Sequence, residues 1–352
     1  MNALSPVAAI DVRVADLGDR DESARIDAFV AEHPRGGIFH RPQWSRAAER
    51  GCGQRAHYLV AERGGALVGC LPLTEVRSPL FGNALVSAGF GTGGGIIGDG
   101  VEPLAAAAWA LARRLGCRSA ELRGGPVPEG WNAESGIYAN FDRRLPGDAE
   151  ALLRSIPKRQ RAEVKKAVAG SLETTAGSDR RHRDAHFRVY SESVRNLGTP
   201  VFPKALFEAS LDEFGDGADV VTVWKDDRPL AAMLSFYFKG VCQPFWGGGT
   251  REARDWHAND YIYFDVMRRA IERGCVRADF GRSKVGTGPW SRKKIWHFDE
   301  TPLTYAVRTA DGAAPRQVNP LDPKFRLKIA AWRKLPLGLA NRVGPAIARG
   351  LG

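Results

Sequence analysis

Two stretches of the chain place β-branched and apolar runs on either side of a tight turn, the pattern of a β-hairpin. Tyr58 to Val76 reads YLVAERGGALVGCLPLTEV, turning at Gly64-Gly65, and Val220 to Phe238 reads VVTVWKDDRPLAAMLSFYF, turning at Asp226-Asp227. Leu67-Val68-Gly69 and Leu230-Ala231-Ala232 fall at equivalent places in one hairpin, 163 residues apart.

The segments beyond the two hairpins repeat as well. After the first come a glycine-rich passage (Gly89 to Gly100), an Ala- and Leu-rich helix over Pro103 to Leu115, and a strand that Gly116-Cys117-Arg118 opens toward Ala120-Glu121-Leu122-Arg123. After the second come a strand ending in Gly247-Gly248-Gly249, a helix near His257 to Arg273, and Gly274-Cys275-Val276 leading to Ala278-Asp279-Phe280-Gly281. Each helix stops at a glycine, as a left-handed C′ position prefers. Keeping the order of all four parts points to a duplicated unit; two unrelated α/β domains sharing common motifs are the plainer alternative. Between the copies the pattern predicts a helix over Asp148 to Gly170 with Pro157 near its start, a long helix from about Arg181 to Asn196, and another from Pro203 to Phe214. Thr309 to Pro323, rich in Pro, Asp and Ala, reads as a linker.

The 352 residues suit two domains, and 43% hydrophobic with 26% charged residues is enough for two cores. No run approaches the roughly 18 uncharged apolar residues of a membrane span. The first twenty residues carry Asp11, Asp16 and Asp19 and do not read as a signal peptide, so a cytoplasmic location is expected. The five scattered cysteines form no C-x-x-C pair and have no histidine at metal-ligand spacing; they read as buried fillers, with no metal site. The net charge of +11 calls for an anionic partner and is concentrated at the end. From Asn319 onward, seven basic residues face one acid, Asp322.

The densest chemistry is Asp279-Phe280-Gly281-Arg282-Ser283-Lys284, then Gly286-Thr287-Gly288 and Ser291-Arg292-Lys293-Lys294. A strand end, glycines and five cations there read as a clamp for an anion and an acyl carbonyl, or as a solvated basic loop. No G-x-S-x-G, H-E-x-x-H or Walker lysine motif is present. Amide formation from an activated acyl donor needs none of them, only positioning, an oxyanion partner and one proton transfer. The glycine-rich passages lack the R/Q-x-x-G-x-G/A pattern of a coenzyme A pyrophosphate loop and read mainly as bulged strands and turns. The basic helix with Lys158, Arg159, Arg161, Lys165 and Lys166 is a solvated face or a contact to polyphosphate or tRNA. Asn259 and Tyr261, opening the second repeat's helix, are capping residues or polar substrate contacts.

These blocks resemble the FemAB family, the aminoacyltransferase branch of the GNAT (acyl-CoA N-acyltransferase) superfamily that also holds BioF2-like acetyltransferase domains. The likeness is strongest to FemAB-like proteins of PEP-CTERM/exosortase systems and exopolysaccharide loci. It rests on Phe39-His40-Arg41-Pro42-Gln43-Trp44, on Ile156-Pro157-Lys158-Arg159-Gln160-Arg161, on Arg195-Asn196-Leu197-Gly198-Thr199-Pro200, on Asp279-Phe280-Gly281-Arg282-Ser283, and on Gly286 through Trp296. Arg292 stands where the family has Phe and His297 where it has Gly, so the family's lysine maps to Lys293, with Lys294 one register away.

The resemblance implies a tandem GNAT-like α/β fold: residues 1–147 a first half, 148–310 a second half with the active site, and 311–352 a linker and basic tail. It implies N-acyl or aminoacyl transfer to an amine of a cell-envelope or polysaccharide precursor. The expectation is that no cofactor is bound and that acyl-CoA or aminoacyl-tRNA serves as co-substrate. Lys293 and Arg282 would stabilise developing charge, Asp279 would orient the cations, and Arg195 would hold a phosphate. Ser283, Lys284, Lys294, Asn259, Tyr261 and Arg161 complete the expected substrate contacts. A nonenzymatic factor on a degenerate fold, and a tRNA- or nucleic-acid-binding module, are the competing classes. In the tail, Leu339, Val343, Ile347 and Leu351 recur every four residues, and Phe325, Ile329 and Trp332 form a second stripe. That pattern fits either docking on the chain's own core or peripheral contact with an anionic membrane through residues 319–352, on the inner face of the plasma membrane.

Overall fold

The computed structural model describes residues 9–312 and 323–352, with side chains from Arg326 in the latter segment. Most of the expected linker, and the side chains of Lys324 and Phe325, lie outside the described residues. In chain order the elements are β1 (Ile10–Val14), α1 (Arg20–Glu32), α2 (Pro42–Cys52), β2 (Arg55–Arg63), β3 (Ala66–Val76), β4 (Ala84–Ser87), β5 (Ile97–Gly98), α3 (Val101–Arg114) and β6 (Ser119–Arg123). Next come β7 (Asn132–Arg144), α4 (Ala149–Ser155), α5 (Lys158–Ala169), β8 (Glu173–Gly177), α6 (Arg180–Leu197), α7 (Lys204–Phe214), β9 (Ala218–Lys225), β10 (Arg228–Phe238) and β11 (Val241–Gly249). The last are α8 (Ala258–Glu272), β12 (Arg277–Lys284), α9 (Gly288–Ile295), β13 (Asp299–Thr309), α10 (Pro323–Lys334) and α11 (Leu337–Ala348). Among the described residues no helix is long and apolar enough to cross a membrane.

Among the described residues two compact units emerge: 9–134 with 304–312 and 350–352, and 135–303 with 323–349. In the first, strands run β1-β2-β3-β4-β6-β13. β4 and β6 are parallel, with α3 between them in sequence, while β13 joins β6 antiparallel through Tyr305–Thr309. In the second, strands run β8-β9-β10-β11-β12-β7; β11 and β12 are parallel across α8, and β7 joins β12 antiparallel. Strand for strand these are the same order, so the duplication read from the hairpins extends to six strands and the crossover helix. The sixth strand of each set comes from the other half of the sequence. That is why the unit boundary lies at 134/135, inside β7, where the sequence pattern placed it at 147/148.

Both hairpin turns carry positive φ at their two central residues, 56° and 81° at Gly64 and Gly65, 47° and 60° at Asp226 and Asp227. This is the backbone of a type I′ turn, whose twist matches the strands it joins. The helix expected over 148–170 is two helices. Pro157 offers no N–H, and Ile156 before it is held extended (ψ 153°), so α4 ends at Ser155 and α5 starts afresh at Lys158. The core of the second unit lies between α4, α5, α8 and one face of its sheet, around Phe141, Leu152, Val164, Met267, Phe280, Trp296 and Phe298.

The three glycines closing β11 set how near the helices come. A Cβ on Gly248 would stand 2.3 Å from Ser193 Oγ of α6, and one on Gly249 would stand 2.2 Å from Asn259 Oδ1 of α8. Alternate residues of β11 therefore face α6 and α8 on opposite sides of the sheet, and the glycine run is a packing requirement in a regularly paired stretch of strand, where a bulge or turn was expected.

Candidate functional site

β11 and β12 pair only at Val241–Arg277 and Cys242–Ala278. β11 then continues to Gly249 and β12 to Lys284 without further pairing between them. Two parallel strands that begin together and separate open a gap between their C-terminal ends, where an extended ligand can lie. The Phe245 ring lies 3.9 Å from where a Cβ on Gly281 would be.

β12 is also bulged. Asp279 pairs with Asp142 and Arg282 with Asn140, so Phe280 and Gly281 together oppose Phe141. Gly281 takes φ 65°, the left-handed geometry an αL bulge residue needs. Two contacts fix it: Asp279 Oδ1 accepts from Gly281 N (2.8 Å) and from Asn140 Nδ2 (3.0 Å). On the other face, Lys293 of α9 is 7% exposed and its ammonium donates to the carbonyls of Phe280 (2.5 Å), Gly281 (3.0 Å) and Arg282 (3.3 Å). Burial lowers this amine to about 8, opposed by the Asp279 carboxylate. Its three protons match three carbonyls, so Lys293 holds the bulge from beneath.

Because the bulge absorbs one residue, side chains alternate cleanly beyond it. Ser283 faces the core with Ala139, whereas Arg282 and Lys284 stand with Asp279 and with Tyr138, Asn140 and Asp142 of β7 in a half-buried polar row. The Arg282 guanidinium lies over the Tyr138 ring at 4.6 Å and the Lys284 amine at 5.9 Å from the same centroid. Burial pulls the Lys284 amine down. It pushes the Asp142 carboxyl up, Asp279 and Asp299 add to this, and Arg277 opposes it. Cations, a hydroxyphenyl ring and a carboxyl of raised basicity thus share one row beside the strand separation.

The five cations of the expected clamp do not converge. Residues 288–295, within the stretch read as a clamp or a solvated basic loop, form the short helix α9, which Pro289 starts. It sends Arg292 to Asp260 (2.8 Å) and Lys294 to Glu300 (3.0 Å) with Lys293 turned inward. Arg195, in the last turn of α6, donates to the Arg333 carbonyl of α10 (3.2 Å). Arg161 of α5 reaches the Arg154 carbonyl (3.4 Å). Asn259 packs on Gly249, and half-buried Tyr261 stands next to it in the first turn of α8, whose start at His257 is left-handed and ion-paired to Glu163.

Residues 154–290 match the family model described as acetyltransferase (GNAT) domain, which spans the hairpin, β11, α8 and β12. The fold is the tandem GNAT fold. Among solved structures, FemX superposes with a TM-score of 0.65 at 14% identity, covering 84% of this chain and 96% of that one. The tandem GNAT protein from the clavulanic acid biosynthesis pathway gives 0.55 at 13%, covering 87% and 100%. L-PGS from Bacillus licheniformis gives 0.54 at 12%, covering 90% and 98%. No curated protein matches the chain in sequence.

The two GNAT units treat their parallel pair differently. In the first, β4 stops at Ser87 and the loop after it is tied to the end of β6: Gly95 N donates to Arg123 O (3.0 Å), and the buried Arg123 guanidinium donates to Gly91 O (2.8 Å). His40 Nε2 meets Gly95 O at 3.0 Å, and Phe39 sits where a Cβ on Gly91 would be, 2.7 Å away. The Phe39-His40 block therefore packs this loop, and the passage 89–95 fills the place that the second GNAT unit leaves between diverging strands. Tyr138, Asn140 and Asp142 escaped the sequence reading, although YANFD alternates polar and apolar residues; the missing knowledge was the pairing that sets this strand against β12.

Proposed function

We propose that the protein is an N-acyltransferase of the FemAB-like kind, acting where β11 and β12 separate. The observation that carries this reading is the bulged end of β12, which stays paired with β7 after it has parted from β11 and bears Arg282 and Lys284 beside Asp142. An acyl donor, aminoacyl-tRNA or acyl-CoA, lies extended between the separating ends of the two strands. The acceptor amine attacks its carbonyl, a C–N bond forms, and the C–O or C–S bond breaks as the hydroxyl or thiol leaves with a proton. Arg282, with Lys284, stabilises the developing oxyanion. Asp142, made more basic by burial, takes the amine's proton. Lys293 and Asp279 are positioning residues that hold the bulge so that Arg282 faces the reacting carbon.

The acceptor in this proposal is an amine of a cell-envelope or exopolysaccharide precursor, of the kind handled in exosortase-linked systems, met at the cytoplasmic side of the membrane. The competing reading, a nonenzymatic factor that binds such an intermediate, draws on the Lys293 amine being fully engaged by backbone. A thermal-shift series separates the two. Acyl-CoAs, aminoacyl-tRNA and UDP-sugars are each added at about 100 times a trial Kd, where a true ligand contributes about 2.7 kcal/mol. Stabilisation by one donor class supports acyl transfer; stabilisation by UDP-sugars with neither donor supports the binding factor.

A further inference from the structure

Of the C-terminal helices, α11 docks with small residues inward and large apolar residues outward, and α10 docks through Ile329 while leaving Leu327 outward. In α11, Ala340, Gly344 and Ala348 are buried, a Cβ on Gly344 would stand 3.1 Å from Val201 N, and Asn341 donates to Ser191 Oγ of α6 (3.3 Å). The same helix leaves Leu339 47% and Val343 40% exposed. In α10, Ile329 lies against Gly198 at the end of α6, so the second stripe expected from the sequence packs at that residue. Leu327, two positions earlier, is 84% exposed, the highest of any large apolar side chain among the described residues. Leu197 beside them is exposed, its carbonyl accepting from the Arg333 guanidinium at 3.2 Å. A helix held only by its own core turns its large apolar residues inward.

The charge selects what covers this face. Residues 323–352 contain seven Lys and Arg and no Asp or Glu. A second copy would bring like charge against like, and a nucleic acid gives the leucines nothing apolar to enter. We propose that the outer face of α10 and α11 seats the protein on a bilayer of anionic phospholipid, with Leu327, Leu339 and Val343 entering between headgroups and the cations meeting their phosphates. This surface is independent of the acyl-transfer reading.

The test uses the full chain and sedimentation with vesicles of phosphatidylcholine alone or of phosphatidylcholine and phosphatidylglycerol at about 7:3. The protein should pellet with the anionic vesicles at low salt, be released as salt rises, and stay in solution with neutral ones. The triple variant Leu327→Asp, Leu339→Asp, Val343→Asp should lower the partition coefficient at least about tenfold, since each added charge opposes insertion. All three positions are exposed, so circular dichroism should be unchanged. The double variant Leu80→Asp, Val127→Asp, at exposed apolar sites of the other unit, should bind as the parent does. Equal pelleting of parent and triple variant, no pelleting with anionic vesicles, or equal binding to neutral vesicles would each overturn the proposal. So would a triple variant that only dissolves a dimer in light scattering.

Discussion

Replacing Lys293 by Met tests whether its amine is buried as the bulge requires. The folded amine titrates at about 8, against about 10.4 for an unfolded lysine. A depressed lysine pKa means that, between the two values, the unfolded chain binds the extra proton. Stability then rises with pH across that window, and the charged form costs most below pH 8. With those two values, the wild type should gain about 2 kcal/mol relative to Lys293→Met between pH 7 and 9.5. The absolute difference at pH 7 has a second contribution, because Met leaves the carbonyls of Phe280, Gly281 and Arg282 without their donor, at about 1–3 kcal/mol for a group left unsatisfied. The pH-dependent part is the diagnostic one, since every other titrating group is common to both proteins. Urea denaturation of both proteins at half-unit steps of pH measures it. Parallel curves from pH 7 to 9.5 would refute the argument and place the amine in water.

Acid should act on both units through two buried histidines. His40 and His186 are each lowered to about 4 by burial, their neutral rings bonding to Gly95 O and Trp246 O. Unfolded histidines bind protons from about pH 6.5 downward, so stability should fall as pH drops from 6.5 to 4, and His186→Gln should flatten that loss for the second unit in calorimetric scans. Gly95→Ala would put a Cβ 1.8 Å from the Gly124 carbonyl oxygen, a backbone atom; a loss of at least about 3 kcal/mol is expected in denaturant titration, the upper end of overpacking costs. Arg282→Glu should abolish the thermal shift given by the active donor class while leaving the melting temperature without donor within a few degrees, because the side chain lies over Tyr138 in a half-buried row.

The fold was legible where local chemistry is unambiguous. The turns at Gly64-Gly65 and Asp226-Asp227 mark hairpins, and Gly116 and Gly274 (φ 70° and 76°) end the crossover helices as read. Pairing was harder to see. β7 comes after β6 in sequence yet belongs beside β12, and no residue in YANFD announces that exchange, so the partners of Asp279 and Arg282 stayed hidden. The cation cluster at 282–294 was visible as composition, but its geometry was not. A two-residue bulge and an eight-residue helix decide that Arg282 and Lys284 face one way, Lys293 the other, and Lys294 toward Glu300. Helix periodicity cannot resolve so short a segment. In the tail, a four-residue spacing identified one apolar stripe of α11 but not which stripe docks, and Ala340, Gly344 and Ala348 proved to be the buried one.

Acyl transfer at the diverging strands is tested most directly by mass spectrometry of product formed from aminoacyl-tRNA or acyl-CoA and amine-bearing envelope precursors. The wild type should yield an amide, and Arg282→Glu and Asp142→Asn should each slow its formation by about a hundredfold, the scale of losing one charge-stabilising donor or one proton acceptor. Amide formation at an undiminished rate in both variants, or none from the wild type with either donor class, would contradict the assignment.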